Sequence, residues 1–190
     1  RFSIASPAKQ PFLRLQAVWK VDLEGTIILS LDGNFDKVFP YLPRFGLALK
    51  LPNDKTDVTY YGYGPYESYS DKHRASWVDR FDTTVDDMFE DYVFPQENGS
   101  HYNCQYASVG NLYAKGKKPF SFQASRYSEK ELDEKAHNFE LVPSDGIYVA
   151  LDYKQSGIGS NSCGPRLAEK YQIREEKIEW EISLRFDNKN

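Results

Sequence analysis

Tyr60-Tyr-Gly-Tyr-Gly-Pro-Tyr-Glu-Ser-Tyr-Ser-Asp-Lys-His-Arg-Ala-Ser-Trp-Val-Asp-Arg-Phe81 decides how the chain is read. Its first ten residues hold five of the 14 tyrosines, set among two glycines and a proline. Gly62, Gly64 and Pro65 remove helix propensity and a backbone donor, so the run is not a plain helix. It reads as a strand ending near Gly62, a tight turn through Gly64 and Pro65, and a polar loop. That loop carries Glu67, Asp71, His73 and Arg74, and a second strand begins near Ala75. An aromatic, charged loop held by a rigid turn suits recognition of a polar ligand. The plainer reading is a buried aromatic corner around a satisfied ion pair.

Outward from this stretch, strands dominate. Leu13–Val21 alternates apolar and polar residues, Gly25 marks a turn, and Thr26–Leu31 returns as a hairpin. Asp32–Pro43 reads as a loop, Arg44–Leu51 as a strand and Pro52–Lys55 as a turn. Asp57–Tyr61 leads into the opening stretch, and Ser76–Phe81 leaves it. Thr83–Tyr92 is acidic and reads as a solvated face, since it lacks the spacing of a calcium loop. Val93–Gly99 is a turn whose Asn98-Gly99 pair signals a hairpin. His101–Val109, Phe120–Ser125, Gly146–Asp152 and Lys177–Phe186 read as strands. The last alternates cleanly through Ile178, Trp180, Ile182, Leu184 and Phe186. In His101–Val109, His101 and Gln105 fall on the face opposite Tyr102, Cys104 and Tyr106. One helix is marked: Ser128 caps it, Glu131 is placed to reach back, and it is expected to run to His137. Lys135 and His137 then sit at the negative end of the helix dipole. Many short strands with one short helix, near 128–137, give an all-β antiparallel sandwich.

The chain has 190 residues, enough for one domain, and 40% are hydrophobic, enough for a core. A net charge of −4 leaves no basic footprint for nucleic acid. No apolar run reaches the roughly 20 residues of a membrane span, and the first residues lack the apolar core of a signal peptide. The only methionine is Met88, which suggests a fragment of a longer chain. Cys104 and Cys163 read as free thiols in a reducing cytoplasm, with a single bridge between them as the alternative. The histidines are scattered, and no zinc-ligand spacing appears.

Glu67 and Glu97 are the acids set in aromatic, turn-rich surroundings, yet nothing in the sequence brings them together as a catalytic pair. There is no nucleophile elbow and no phosphate loop. Gln155-Ser-Gly-Ile-Gly-Ser-Asn-Ser-Cys-Gly-Pro165 is small and polar and follows a strand. Its glycines allow close backbone approach, and Ser160, Asn161 and Ser162 can hydrogen-bond sugar hydroxyls. A plain surface loop is the competing reading.

Four motifs then carry a resemblance: Gly62–Asp71, Tyr92–Gly99, Ser125-Arg-Tyr-Ser128 and Ser156–Pro165. Each is modest alone, but together, in this order and spacing, they closely resemble the C-terminal domain of the bacterial β-galactosidases of glycoside hydrolase family two. The likeness is strongest from Arg44 to Phe186. It implies a large antiparallel β-sandwich of the galactose mutarotase-like type, here truncated at its N-terminal side. It implies a parent enzyme that hydrolyses terminal β-D-galactosides such as lactose with retention, its catalytic glutamates in a separate barrel domain. Neither Glu67 nor Glu97 inherits those roles. The resemblance implies that the Ser156–Pro165 loop offers one side chain, tryptophan in some members and cysteine in others, to the aglycone side of the substrate. Cys163 holds that position, with Asn161 and Ser162 beside it, and gives a smaller apolar contact than tryptophan. The implied partners are a galactoside substrate, the barrel domain of the same enzyme and further copies in a homo-oligomer, with no nucleic acid and no membrane. No cofactor is expected in this segment; magnesium and a monovalent cation belong to other domains of the family. A separately encoded small subunit agrees chemically with this reading. The alternative is a stand-alone carbohydrate-binding or aldose-epimerase-like module, although no histidine here sits in an epimerase-like motif.

Overall fold

The computed structural model describes residues 1–5, 10–36, 40–159 and 164–187. Its strands are β1 (Phe2–Ile4), β2 (Leu13–Val21), β3 (Ile27–Phe35), β4 (Arg44–Pro52) and β5 (Asp57–Gly64). They continue with β6 (Trp77–Thr84), β7 (His101–Val109), β8 (Leu112–Ser125), β9 (Gly146–Gln155) and β10 (Lys177–Phe186). All pairings are antiparallel, and they build an open all-β sandwich, the fold class expected. The hydrogen-bonded path runs β1-β2-β3-β10-β8-β7-β5-β6, and β9 joins β8 to β4.

The fourteen-residue β8 explains the branching. Its first part, Leu112–Gly116, pairs with β10, and Ser121–Ser125 pairs with β9. Lys117, Lys118 and Pro119 between them are exposed, and Pro119 has no N–H to continue a ladder. A strand that bends from one sheet into the next makes the corner of a sandwich. After the bend both faces are covered: Phe120, Phe122 and Ala124 enter the core, while Gln123 donates to the Asn98 carbonyl at 2.5 Å. The core is one continuous cluster. Leu29, Leu31, Ile178, Trp180 and Ile182 join Tyr60, Ala107, Phe122, Val149 and Leu151 in it.

The first hairpin closes as expected, with Val21 opposite Ile27. Its second strand runs further than composition suggested. Asp32–Phe35 belongs to β3, because Leu29, Leu31, Gly33 and Phe35 face inward while Ser30, Asp32 and Asn34 face out. The polar residues are one face of a strand whose β2 and β10 neighbours pair along it. Gly33 leaves room for the Leu15 side chain, whose end a Cβ at this position would displace. The helix α1 (Glu129–Glu134) ends before His137, with Lys135 already extended. Ser128 Oγ accepts the Glu131 N–H at 3.0 Å as expected, but the Glu131 carboxylate turns forward to the Val142 N–H at 2.9 Å. His137 opens a separate 3₁₀ turn, its N–H donating to Glu140 at 2.9 Å. Asn98-Gly99 makes no hairpin either. The segment before β7 is irregular, and Asn98 is buried, accepting the Glu90 N–H. In the acidic stretch Val85 and Met88 are buried, while Asp86, Asp87 and Asp91 stay on the solvated side.

The face conflict in β7 is resolved by a slip of register between His101 and Cys104, with Asn103 in the left-handed region at φ 58°. His101 is thereby buried, stacked on Tyr60 at 4.2 Å, with Nδ1 3.1 Å from the Tyr63 carbonyl. Burial pulls its pKa down to about 4. Between pH 6.5 and 4 the unfolded chain therefore binds a proton that the folded chain refuses, and stability falls as pH falls through this window. The loss is on the order of 3 kcal/mol at its limit. Urea midpoints measured at pH 7 and pH 5 are expected to separate less in His101→Phe than in the wild type. An equal separation would show that His101 does not carry the effect.

Candidate functional site

The two stretches singled out in the sequence meet in space. Asp71, in the loop after β5, accepts the Ile158 N–H at 3.1 Å and the Gly159 N–H at 2.9 Å, one on each carboxylate oxygen. Successive backbone N–H groups make a concavity that suits an anion, and here a side-chain carboxylate fills it. Gly157 lets the carboxylate approach, because a Cβ there would overlap Asp71 Cγ. Gly159 lies at φ +66°, where glycine is at ease. The same arm is held from the other side. Ser156 N–H donates to the Pro43 carbonyl at 2.8 Å, and Gly157 N–H to the Tyr171 carbonyl at 3.0 Å. Ser156 Oγ donates to the Leu42 carbonyl at 2.6 Å and accepts the Ile173 N–H at 3.0 Å. The arm leading into the loop is thus rigidly based. Cys163, Asn161 and Ser162, the expected substrate-side residues, lie outside the described residues.

The opening stretch is the buried aromatic corner of its plainer reading. Gly64–Pro65 is a cis peptide, and β6 follows at Trp77. Glu67 is buried and accepts from Lys72 Nζ, the Tyr92 hydroxyl, the Tyr69 hydroxyl at 3.4 Å and the Gly99 N–H at 3.0 Å. Four donors satisfy a buried carboxylate and leave it committed to structure. Burial also pushes the Tyr69 hydroxyl pKa up.

Glu97 belongs to another cluster, organised by Arg44 at the start of β4. The guanidinium forks onto Asp152, with Nε 3.3 Å from Oδ1 and a terminal nitrogen 2.6 Å from Oδ2. The other terminal nitrogen reaches Glu97 at 3.2 Å and Glu129 at 2.9 Å. Gln155 donates to the second Glu97 oxygen at 3.0 Å. Burial works against the Arg44 charge, but Asp152, then Glu97 and Glu129, outweigh it and hold its pKa above the usual value. Glu97 is pushed up, chiefly by burial, with Arg44 opposing. Glu67 and Glu97 therefore serve two separate sets of donors. Among the described residues no group of three or more His, Cys, Asp or Glu side chains is placed to hold a metal ion. Cys104 is a buried free thiol whose pKa burial raises, which makes it a poor nucleophile. No helix of the described residues is long and apolar enough to cross a membrane.

Sequence reading missed what Asp71 does. The sequence places Asp71 in the polar loop after Pro65, while its partner amides lie 87 and 88 positions away. The available signal was the Gly157-Ile-Gly159 spacing, which suits anion capture by backbone.

Comparison with known proteins finds relatives along nearly the whole chain. The family model described as "Beta galactosidase small chain" matches residues 1–186. The chain is 42% identical over 185 residues to a β-galactosidase of Actinobacillus pleuropneumoniae, covering 97% of this chain and 18% of that protein. It is 42% identical over 191 residues to a β-galactosidase of Staphylococcus xylosus, covering 97% and 19%. A β-galactosidase of Photobacterium profundum is 34% identical over 173 residues, covering 88% and 17%. The chain thus spans about a fifth of the length of these curated relatives. A family match over nearly every residue, on an all-β sandwich, places this chain in the β-galactosidase small-chain family.

Proposed function

We propose that the chain is the non-catalytic C-terminal part of a β-galactosidase that hydrolyses terminal β-D-galactosides such as lactose with retention. Its role is to brace the catalytic domain and to present the loop at 156–165 to the aglycone side of the substrate. The observation that carries this reading is the double grip of Asp71 on the Ile158 and Gly159 amides, which gives the loop a fixed base. A loop that places one side chain at a substrate needs such a base, because a misplacement of about 1 Å is costly in catalysis. Cys163 is the contacting side chain in this reading, flanked by Asn161 and Ser162. The commitment of Glu67 and Glu97 to structural donors supports the absence of a catalytic pair from this segment. Catalytic carboxylates and metal ions are assigned to other parts of the longer polypeptide. Cytoplasmic placement belongs to the same reading.

An apolar end of the sandwich supports contact with those other parts. On the inward face of β2, Leu13 and Leu15 are buried, yet Trp19 and Val21 on the same face are 54% and 69% exposed. Leu23, two residues beyond Val21, is fully exposed as well. Contiguous exposed apolar surface of this kind marks an interaction surface. We assign it to the remaining domains of the polypeptide.

Two measurements test the proposal. The isolated 190 residues are expected not to hydrolyse a chromogenic β-galactoside; turnover that survives repurification would end the non-catalytic reading. In the full-length polypeptide, Cys163→Trp is expected to change KM for lactose or the ratio of transglycosylation to hydrolysis by about three- to tenfold, the scale of one aromatic contact. If neither moves, the loop is not at the substrate.

A further inference from the structure

A cavity of about 410 Å³ opens at the bend of β8, between the bulged start of β7, the end of β9 and the 3₁₀ turn at Glu169–Tyr171. That volume lies within the range of small-molecule sites, about 300–1,000 Å³. Its charge is one-sided. Lys118, Lys154 and Lys170 line it, with Glu175 as the opposing acid. Glu175 is taken by Lys154, so that pair is neutral. Lys118 and Lys170 make no ion pair among the described residues, and Glu179 acts on Lys118 only from a longer distance. The wall therefore keeps two positive charges without an anion of its own.

Two of the ammonium groups are steadied at the wall. Lys154 Nζ lies 5.3 Å over the Tyr153 ring, and Lys170 Nζ lies 4.7 Å over the Tyr171 ring. A ring face holds a cation without removing its charge. Neutral donors accompany them. Ser121 lines the cavity, is 6% exposed and makes no side-chain hydrogen bond among the described residues. Its hydroxyl is not sealed from solvent as that of Ser70 is, so its open side is the cavity. Asn103 lines the same wall in the left-handed region at φ 58°, at the register slip of β7. A bulge that re-aims a side chain is a common device beside binding sites. Tyr102, stacked on Tyr63 at 5.9 Å, adds a third fixed ring. Walls fixed before a ligand arrives reduce the entropy lost on binding.

Two uncompensated ammonium groups with neutral donors beside them select a doubly charged anion. A phosphate monoester carries about −1.5 to −2 at neutral pH and offers three acceptor oxygens. Lysine binds phosphate as a point charge, whereas a carboxylate is best gripped by the fork of an arginine. Among the described residues no arginine lines this cavity. The tyrosine rings suit a flat apolar group on the ester oxygen. We propose that this cavity binds a phosphate monoester. Lys118 and Lys170 are its counter-charges, Ser121 and Asn103 its neutral donors, and the tyrosines meet its organic group. The inference does not rest on the enzymatic reading above.

The test uses the full-length polypeptide, with phenyl phosphate as the probe and inorganic phosphate and phenol as its two halves. Crystals soaked in phenyl phosphate are expected to show the ester in the cavity. In calorimetric titrations at low ionic strength, Lys118→Gln and Lys170→Gln are each expected to weaken its binding about tenfold, the scale of one charge-assisted hydrogen bond. Both lysines are exposed, so neither change disturbs the core. Lys118→Arg keeps the charge and is expected to bind within about threefold of the wild type, while raised salt weakens all of them. Inorganic phosphate is expected to bind more weakly than the ester, and phenol more weakly still. An empty cavity in the soaked crystals would overturn the proposal. Affinity unchanged in both glutamine variants would mean an adventitious ion only, and would overturn it as well. Phenol binding as tightly as phenyl phosphate would do the same, because the charges would then select nothing. The readout is binding alone, so its failure leaves the enzymatic reading standing.

Discussion

Arg44→Ala is expected to destabilise the chain by about 3–5 kcal/mol, the cost of breaking a buried ion pair. The side chain joins β4 to β9 by its fork onto Asp152, and Asp152 is 3% exposed. Without the guanidinium, Asp152 keeps its burial and loses both charged donors. Glu97, partly exposed, keeps one donor, Gln155. Gly46 packs against the Asp152 backbone and side chain, so the carboxylate has little room to turn toward water. Arg44→Lys should recover only part of the loss, because an ammonium cannot fork onto one carboxylate and reach two more. The double variant Arg44→Met with Asp152→Leu should recover most of it, since an apolar pair of similar volume often equals a buried ion pair. Lys50→Ala serves as the control. Its exposed partner Asp145 keeps its water, and the midpoint should hardly change. Urea midpoints for the four variants decide the matter. A loss below about 1 kcal/mol in Arg44→Ala would mean that the cluster is solvated in solution and acts as a surface pair.

Arg44 also shows where sequence reasoning stops. The strand it opens was legible, because Phe45, Leu47, Leu49 and Leu51 alternate with smaller or polar residues. Its partners were not, because Glu97, Glu129 and Asp152 come from 53, 85 and 108 residues away. The same boundary divides the strands. β10 was legible end to end because one face is buried and the other wet. The second half of β3 was hidden by Gly33 and Asn34, turn-forming residues placed in a strand by the neighbours on both sides. The first half of β8 was hidden because Lys115, Lys117 and Lys118 look like loop, yet Leu112 and Ala114 just before them are core residues. Local pattern records which face is wet; it does not record which distant strand supplies the dry side. Helix length failed for a related reason. Lys135 and His137 suit a helix end, but a six-residue helix with one buried side chain, Leu132, has little packing to extend it.

Asp71→Ala is expected to release the base of the 156–165 loop and to lower kcat/KM for lactose in the full-length polypeptide by at least about tenfold. Two hydrogen bonds to a charged carboxylate hold the arm, each worth about 1.5–3 kcal/mol. Part of that loss appears as stability, and the rest as freedom of the residues beyond Gly159. Gly157 offers no side chain to replace the lost contact, so the space left by the carboxylate admits water. Asp71→Asn keeps one acceptor oxygen and gives up the charge, and an intermediate effect is expected. Ser156, with the Leu42 carbonyl and the Ile173 amide on its hydroxyl, still pins the beginning of the arm in either variant. The sandwich therefore stays folded, and the change is confined to the loop. The thiol of Cys163 gives a readout that owes nothing to turnover. Its alkylation rate should change when Asp71 is removed, whereas Cys104, fully buried, should stay unlabelled. Altered labelling with unaltered kinetics would mean that Asp71 holds the loop but the loop does not touch substrate. Unaltered labelling together with unaltered kinetics would mean that Ser156 alone fixes the arm. Only the joint change ties the acid in the aromatic corner, through two glycine-flanked amides, to the chemistry of the sugar.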